Sequence, residues 1–339
     1  MRKSAISVLL PAALAAMALL HTAPAVAQSV SYVNDTGDDS NFCDFAVNFP
    51  TVIGHGPCRT LKRAVDQAIS GGAVILSGPG ALIRETITIS KSVTITSDGG
   101  GETILSTPFG SSGAVILDID AGRGDVVGLR GLIIDGGGIG SVGVLTRLAS
   151  AVHVQNCVIR NFEGQNGWGI IHGPVAGTSK LFVSDTLVYN NGSNPGTGGL
   201  LVQPIGSGSV VATLDRVHLE NNVVGLWVAG NLAVGNGSRV LIRDSVVTGN
   251  AGDGIIAISQ SGRAPAFLLA EHTTSLHNAS DGIHADGPHA IILLDDNVIT
   301  QNGTGISATN GGQLISYGNN KNNNNIGPEG TPTGFFSQM

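Results

Sequence analysis

Asp244-Ser245-Val246-Val247-Thr248-Gly249-Asn250-Ala251-Gly252-Asp253-Gly254-Ile255-Ile256-Ala257 reads as a short strand, a corner, a turn and a second strand. The pattern, Asp-x5-Asn followed by a turn and then Gly with an aliphatic residue, returns at Asp185/Asn191, Asp215/Asn221 and Asp296/Asn302. A degenerate copy sets His272 before Asn278. The second strands open at Gly199-Leu200, Gly225-Leu226, Gly254-Ile255, Gly282-Ile283 and Gly305-Ile306. A period of roughly 24 to 30 residues, with two-residue alternation and no helical spacing, predicts an all-β solenoid whose coils stack about 4.8 Å apart.

Alternation assigns the faces. In the first strands Val217, Leu219 and Asn221 are expected inward together with Val246, Thr248 and Asn250; in the second strands Leu226, Ile255, Ile283 and Ile306 point inward. Asn191, Asn221, Asn250, Asn278 and Asn302 then form an internal ladder at one corner, where stacked amides satisfy backbone groups at the bend. Three Asn-x-Ser/Thr sequons, at Asn191, Asn278 and Asn302, fall in that ladder, where a glycan has no room.

Composition agrees. The 339 residues include 50 glycines without a three-residue period and are 42% apolar, which excludes collagen and disorder. Only 12% are charged, and 17 Lys+Arg against 24 Asp+Glu, with no basic run, exclude a nucleic-acid partner. Residues 1–27 read as a signal peptide: basic Arg2 and Lys3, an apolar stretch, and Ala25-Val26-Ala27 before a cleavage point after Ala27. No later segment reaches about 18 unbroken apolar residues, so the mature chain is expected to be secreted or periplasmic without a transmembrane segment.

Residues 28–72 are expected to hold a cysteine loop and a capping helix. In an oxidising compartment a Cys43–Cys58 disulfide would close the loop, whereas Cys157, in an alternating run, is expected to be a small buried thiol. Residues 60–69 carry apolar side chains at 61, 64, 65, 68 and 69, a helical stripe with Thr60 as N-cap and Gly71-Gly72 as the stop. Such a helix covers the open end of a solenoid spanning residues 73–326. Residues 327–339, polar and Pro/Gly-containing, are expected to be a loose tail.

With its cap helix, its Asp/Asn coils such as residues 212–222 and its Ile315-Ser316-Tyr317-Gly318-Asn319-Asn320 closure, the chain resembles secreted bacterial right-handed parallel β-helix repeat proteins of the pectate-lyase-like superfamily. The resemblance implies a right-handed parallel β-helix with a short N-terminal capping helix, and a polysaccharide-related role in binding or processing. If the protein is an enzyme, it would be a polysaccharide lyase or glycoside hydrolase. Polygalacturonase-like enzymes of this group carry Asn-Thr-Asp, Asp-Asp and Gly-His-Gly motifs on successive coils. Here Gly54-His55-Gly56 precedes the cap helix and Asp295-Asp296 lies in a repeat strand, so those roles do not transfer. Lyase chemistry also needs a calcium and an Arg or Lys base, but the outward second-strand column reads Leu201, Trp227, Ile256, His284 and Ser307.

One constellation remains. Asp253 and Asp281 occupy equivalent turns and should stack roughly 5 Å apart. Such a pair would bind calcium, or serve as nucleophile and acid of a retaining glycosidase, with His284 as a third catalytic candidate. Trp227, Asp286 and His289 are the substrate-binding candidates, Trp227 as a sugar-stacking platform. The alternative is a non-catalytic surface or matrix β-helix of adhesin-like character, in which Asp-Gly is turn chemistry and the histidines are solvated.

Overall fold

A computed structural model describes residues 30–45, 54–77, 85–98, 104–106 and 114–336. The expected signal peptide, residues 1–27, lies outside the described residues. Three all-parallel sheets, of twelve, nine and nine strands, wrap around one core. A representative coil uses Ser238–Arg243 in the long sheet, Val246–Thr248 in the second and Ile255–Ile258 in the third. Each strand pairs in register with the coils before and after it: Val240 beside Ala212 and Leu268, Val247 beside Leu219 and Ser275, Ile255 beside Leu226 and Ile283. The aliphatic columns inside are fully buried.

The corners explain the repeat. Between the long and second sheets the chain turns through one left-handed residue, occupied by Asn156, Asp185, Arg216, Asp244, His272 and Asp296 at φ 46 to 52°. Asn and Asp tolerate this conformation better than other non-glycine residues, which is why they recur there. The second corner repeats the device with Asn190, Asn221, Gly249, His277 and Gln301, and the next residue turns inward to form the ladder.

The ladder is therefore Asn191, Asn222, Asn250, Asn278, Asn302 and Asn325, and the expectation for Asn221 is corrected. Asn191 Nδ2 donates to Asn222 Oδ1 at 2.9 Å, the Asn222 backbone N–H donates to Asn250 Oδ1 at 2.9 Å, and Asn250 Nδ2 donates to Asn278 Oδ1 at 2.7 Å. The column continues from Asn278 to Asn302 at 2.8 Å and from Asn302 to Asn325 at 3.1 Å. Asn221 is exposed at φ 53° and serves as the left-handed corner residue. The Asn221-Asn222 doublet shifts this coil by one residue, so its corner residue is Arg216 and not Asp215. Faces shift with it: Leu219 stacks on buried Val247, while Val246 and Thr248 face outward and are half-buried.

A second polar ladder occupies the first corner. There Cys157 N–H donates to Thr186 Oγ1, Val217 N–H to Ser245 Oγ, Thr273 N–H to Asn297 Oδ1 and Asn297 Nδ2 to Asn320 Oδ1. Cys157 thus sits fully inside the coil stack, and burial pushes its thiol up to about 11. Because the thiolate is the reacting species, a soluble maleimide should leave native protein unlabelled and modify Cys157 only after denaturation. Labelling of native protein at neutral pH would show that the stack opens at this coil.

Both ends are closed. Helix Leu61–Gln67 starts at Thr60, whose hydroxyl accepts from Arg63 N–H at 3.3 Å, and buries Leu61, Ala64 and Val65. Lys91 Nζ bonds the carbonyls of Asp66 and Ala68 at its end. Cys43 and Cys58 are disulfide-bonded and buried beside it. The long sheet begins earlier than residue 73, since Val30–Val33 pairs with Gly72–Leu76. The tail is also not loose through residue 336. Gly334–Phe335 adds a strand beside Ile315 and Ser316, Glu329 accepts from Asn325 Nδ2 at the foot of the ladder, and Phe336 packs on Tyr317 at 5.2 Å. An unpaired last coil would leave a row of backbone groups and a core cross-section in water, and this folded-back segment covers both.

Candidate functional site

The turns Asn250-Ala251-Gly252-Asp253-Gly254 and Asn278-Ala279-Ser280-Asp281-Gly282 stack as expected. Gly254 N–H donates to the Asp281 carbonyl at 2.9 Å, and Asp281 N–H donates to Asp253 Oδ1 at 3.1 Å. Glycine follows each Asp because its α-carbon faces the next coil: a Cβ on Gly254 would come within 2.6 Å of the Asn278 amide.

His284 enters from the third sheet, outward-facing in register between Ile256 and Ser307. Its Nδ1 lies 3.1 Å from Asp253 Oδ2 and 3.5 Å from Asp281 Oδ2, and its Nε2 lies 2.8 Å from Thr309 Oγ1. Ser307 Oγ donates to Asp281 Oδ2. The three side chains are only 16 to 19% exposed. Burial pulls the imidazole pKa down. The Asp253 hydrogen bond and the charges of Asp253, Asp281 and Asp286 outweigh it, so the group sits above its usual value.

The candidates divide here. Asp253, Asp281 and His284 come together, with one donor atom from each all within 4.8 Å of one another. Asp286, the last residue of strand Asp281–Asp286, accepts from Asn310 Nδ2 at 2.7 Å, and His289 Nδ1, in the loop that follows, bonds the Arg263 carbonyl at 2.7 Å, so both flank the cluster. Trp227 lies two strands away in the same outward column, half-buried and edge-on to Trp168 at 6.3 Å. Sequence reasoning missed Ser307 and Thr309 as orienting partners, although the coil register that aligned Ser307 with His284 contains that signal.

The imidazole changes what the carboxylates can do. A retaining pair holds substrate between its carboxyl groups, and here the His284 nitrogen occupies that place. Calcium takes about six to eight oxygen ligands. The donors here are two carboxylates and a ring nitrogen, a set that does not fit calcium.

The remaining histidines serve elsewhere. His218 Nδ1 pairs with Glu220 at 2.8 Å, His272 lies 3.2 Å from Asp296, and His153 stacks on Phe182 at 4.7 Å. His55 lies 2.6 Å from Asp44 between Phe42 and Phe45, far from any repeat strand in sequence.

A closed parallel solenoid of three stacked sheets defines a β-helix protein, with Asp118 near one end of the outward column of its third sheet, the Asp253–His284–Asp281 cluster near the other, and apolar residues between them. The family described as the right handed beta helix region matches residues 139–326, and the chain belongs to it. No curated protein matches the chain by sequence. Among solved structures, a pectate lyase is similar with a TM-score of 0.58 and 13% identity, over 91% of this chain and 78% of that one. A pectin methylesterase from Erwinia chrysanthemi gives a TM-score of 0.44 and 11% identity, over 79% of this chain and 89% of its own. The A-module of a mannuronan C-5 epimerase from Azotobacter vinelandii gives 0.41 and 13%, over 79% and 91%. At these identities the likeness is one of fold. Among the described residues no helix is long and apolar enough to cross a membrane.

Proposed function

We propose that the protein engages an extracellular polysaccharide along the outward face of the third sheet and presents the Asp253–His284–Asp281 cluster to it. The observation that carries this reading is the shared column: Trp227 and His284 stand two strands apart on one face, about 10 Å at sheet spacing, roughly the reach of two sugar rings. An indole face suits the C–H surface of a sugar, and the carboxylates, with Asp286 and His289 flanking, suit its hydroxyls. His284, held between two carboxylates, is the group placed to pass a proton to a bound chain. The fold shared with a pectate lyase supports a long polymer as the ligand.

The test is affinity electrophoresis against uronate-containing and neutral polysaccharides, with unsaturated products and reducing ends followed in parallel. Trp227→Ala should weaken retention by about tenfold, the effect of losing roughly 1.4 kcal/mol of ring contact. Absence of retention and of products with every polymer would reject the reading.

A further inference from the structure

We infer that Asp253, Asp281 and His284 form a binding site for a divalent metal of the zinc class. The inference uses the cluster of the proposed function but needs no polysaccharide. Zinc accepts imidazole nitrogen and carboxylate oxygen at about 2.0–2.2 Å, and at such lengths neighbouring donors of a tetrahedron stand about 3.4 Å apart. The His284 Nδ1 distances to Asp253 Oδ2 and Asp281 Oδ2, 3.1 and 3.5 Å, bracket that edge. The third edge, between the two carboxylates, is at most 4.8 Å.

The charge and the surroundings point the same way. Two carboxylates face one ring that supplies at most one positive charge, and Asp286 adds a third negative charge nearby. Among the described residues no Arg or Lys pairs with any of the three aspartates. Two of the three donors are also held from behind, as metal ligands commonly are, and the third is oriented through its ligand oxygen. Thr309 Oγ1 engages His284 Nε2, which leaves Nδ1 as the ligand atom, and Asp281 N–H donates to Asp253 Oδ1, which leaves Oδ2; on Asp281, Ser307 Oγ donates to Oδ2, the ligand oxygen itself. Three protein donors leave the fourth position to water, an open site and not a closed structural one.

The experiment uses the full protein after chelation, titrated calorimetrically with Zn²⁺ and with Ca²⁺, and with Co²⁺ for visible absorption. One tight Zn²⁺ equivalent is expected, with Ca²⁺ at least about 100-fold weaker and cobalt bands indicating a nitrogen-bearing site. His284→Gln should remove that equivalent and the bands, and Thr309→Val should weaken binding by about tenfold as a positioning residue. Because His218 and His272 also sit beside carboxylates, a His218→Gln/His272→Gln variant must keep the equivalent. Loss of Zn²⁺ binding in that double variant, its persistence in folded His284→Gln, or equal affinity for Ca²⁺ would overturn the assignment. A protein that binds no metal yet retains polysaccharide would overturn it too, leaving His284 as the cation between the two carboxylates and the polysaccharide reading intact.

Discussion

Asn250→Ala should lower the unfolding free energy by about 3 kcal/mol, whereas Asn221→Gly, one coil away, should change it by less than about 1 kcal/mol. The Asn250 side chain accepts from Asn222 N–H at 2.9 Å and donates to the Leu219 carbonyl at 3.2 Å and to Asn278 Oδ1 at 2.7 Å. It is 1% exposed. Alanine strands the Asn222 backbone donor where water does not reach, at about 1–3 kcal/mol, and removes two further buried hydrogen bonds, to the Leu219 carbonyl and to Asn278 Oδ1, at about 0.5–1.5 kcal/mol each. Asn221, by contrast, is exposed and is needed for its φ of 53°, which glycine adopts without penalty. At roughly 2–4 °C per kcal/mol for a chain of this size, the melting temperature of Asn250→Ala should fall by about 6–12 °C. Equal melting temperatures for the two variants would refute the one-residue shift and return the ladder to Asn221.

That shift shows where the sequence was legible and where it was not. Fold and period are over-determined, because every coil repeats the same corner chemistry and aliphatic columns. At Asn221-Asn222 two residues satisfy one motif, one by backbone conformation and the other by its amide, and only pairing with Asn250 separates them. The first-corner ladder is not legible as a motif, because Thr186, Ser245 and Asn297 share the role of accepting a backbone N–H from the coil before and share no residue type. The stacking of Asp253 and Asp281 was readable from identical turns, and the place of His284 from strand register. The nitrogen-centred geometry was not, since a χ angle decides it. Asp286 ends its strand in register with Ile258 and Thr309, but its partner Asn310 and His289 lie in loops whose length varies from coil to coil, so nothing periodic fixes those contacts. The tail carries no repeat, so its added strand appears only once the open last coil is seen.

Acid should destabilise the protein through His172 by up to about 3 kcal/mol between pH 7 and pH 4, and His172→Leu should abolish that part of the pH dependence. His172 is 0% exposed in the inward column between Thr146 and Val202, and neither ring nitrogen has a hydrogen-bond partner within the protein. Burial alone pushes its pKa down to about 3, with no charged neighbour contributing. A folded-state pKa below the unfolded value of about 6.5 means that the unfolded chain binds more protons between those limits. Stability is therefore full above about pH 6.5 and falls as pH drops toward 3. Leucine fills a similar volume without nitrogens to strand, so His172→Leu should match or exceed the wild-type melting temperature at pH 7, gaining about 1–2 kcal/mol. The difference between the two proteins should then widen as the pH is lowered, while the carboxylates, common to both, cancel in the comparison. Thr146 Oγ1, beside His172 and likewise without a partner, makes Thr146→Val a companion change that should stabilise without altering the pH profile. A constant gap between wild type and His172→Leu from pH 7 to pH 4.5 would mean that the imidazole is hydrogen-bonded or reached by protons in the folded state, and the account of His172 as a buried neutral base would fail.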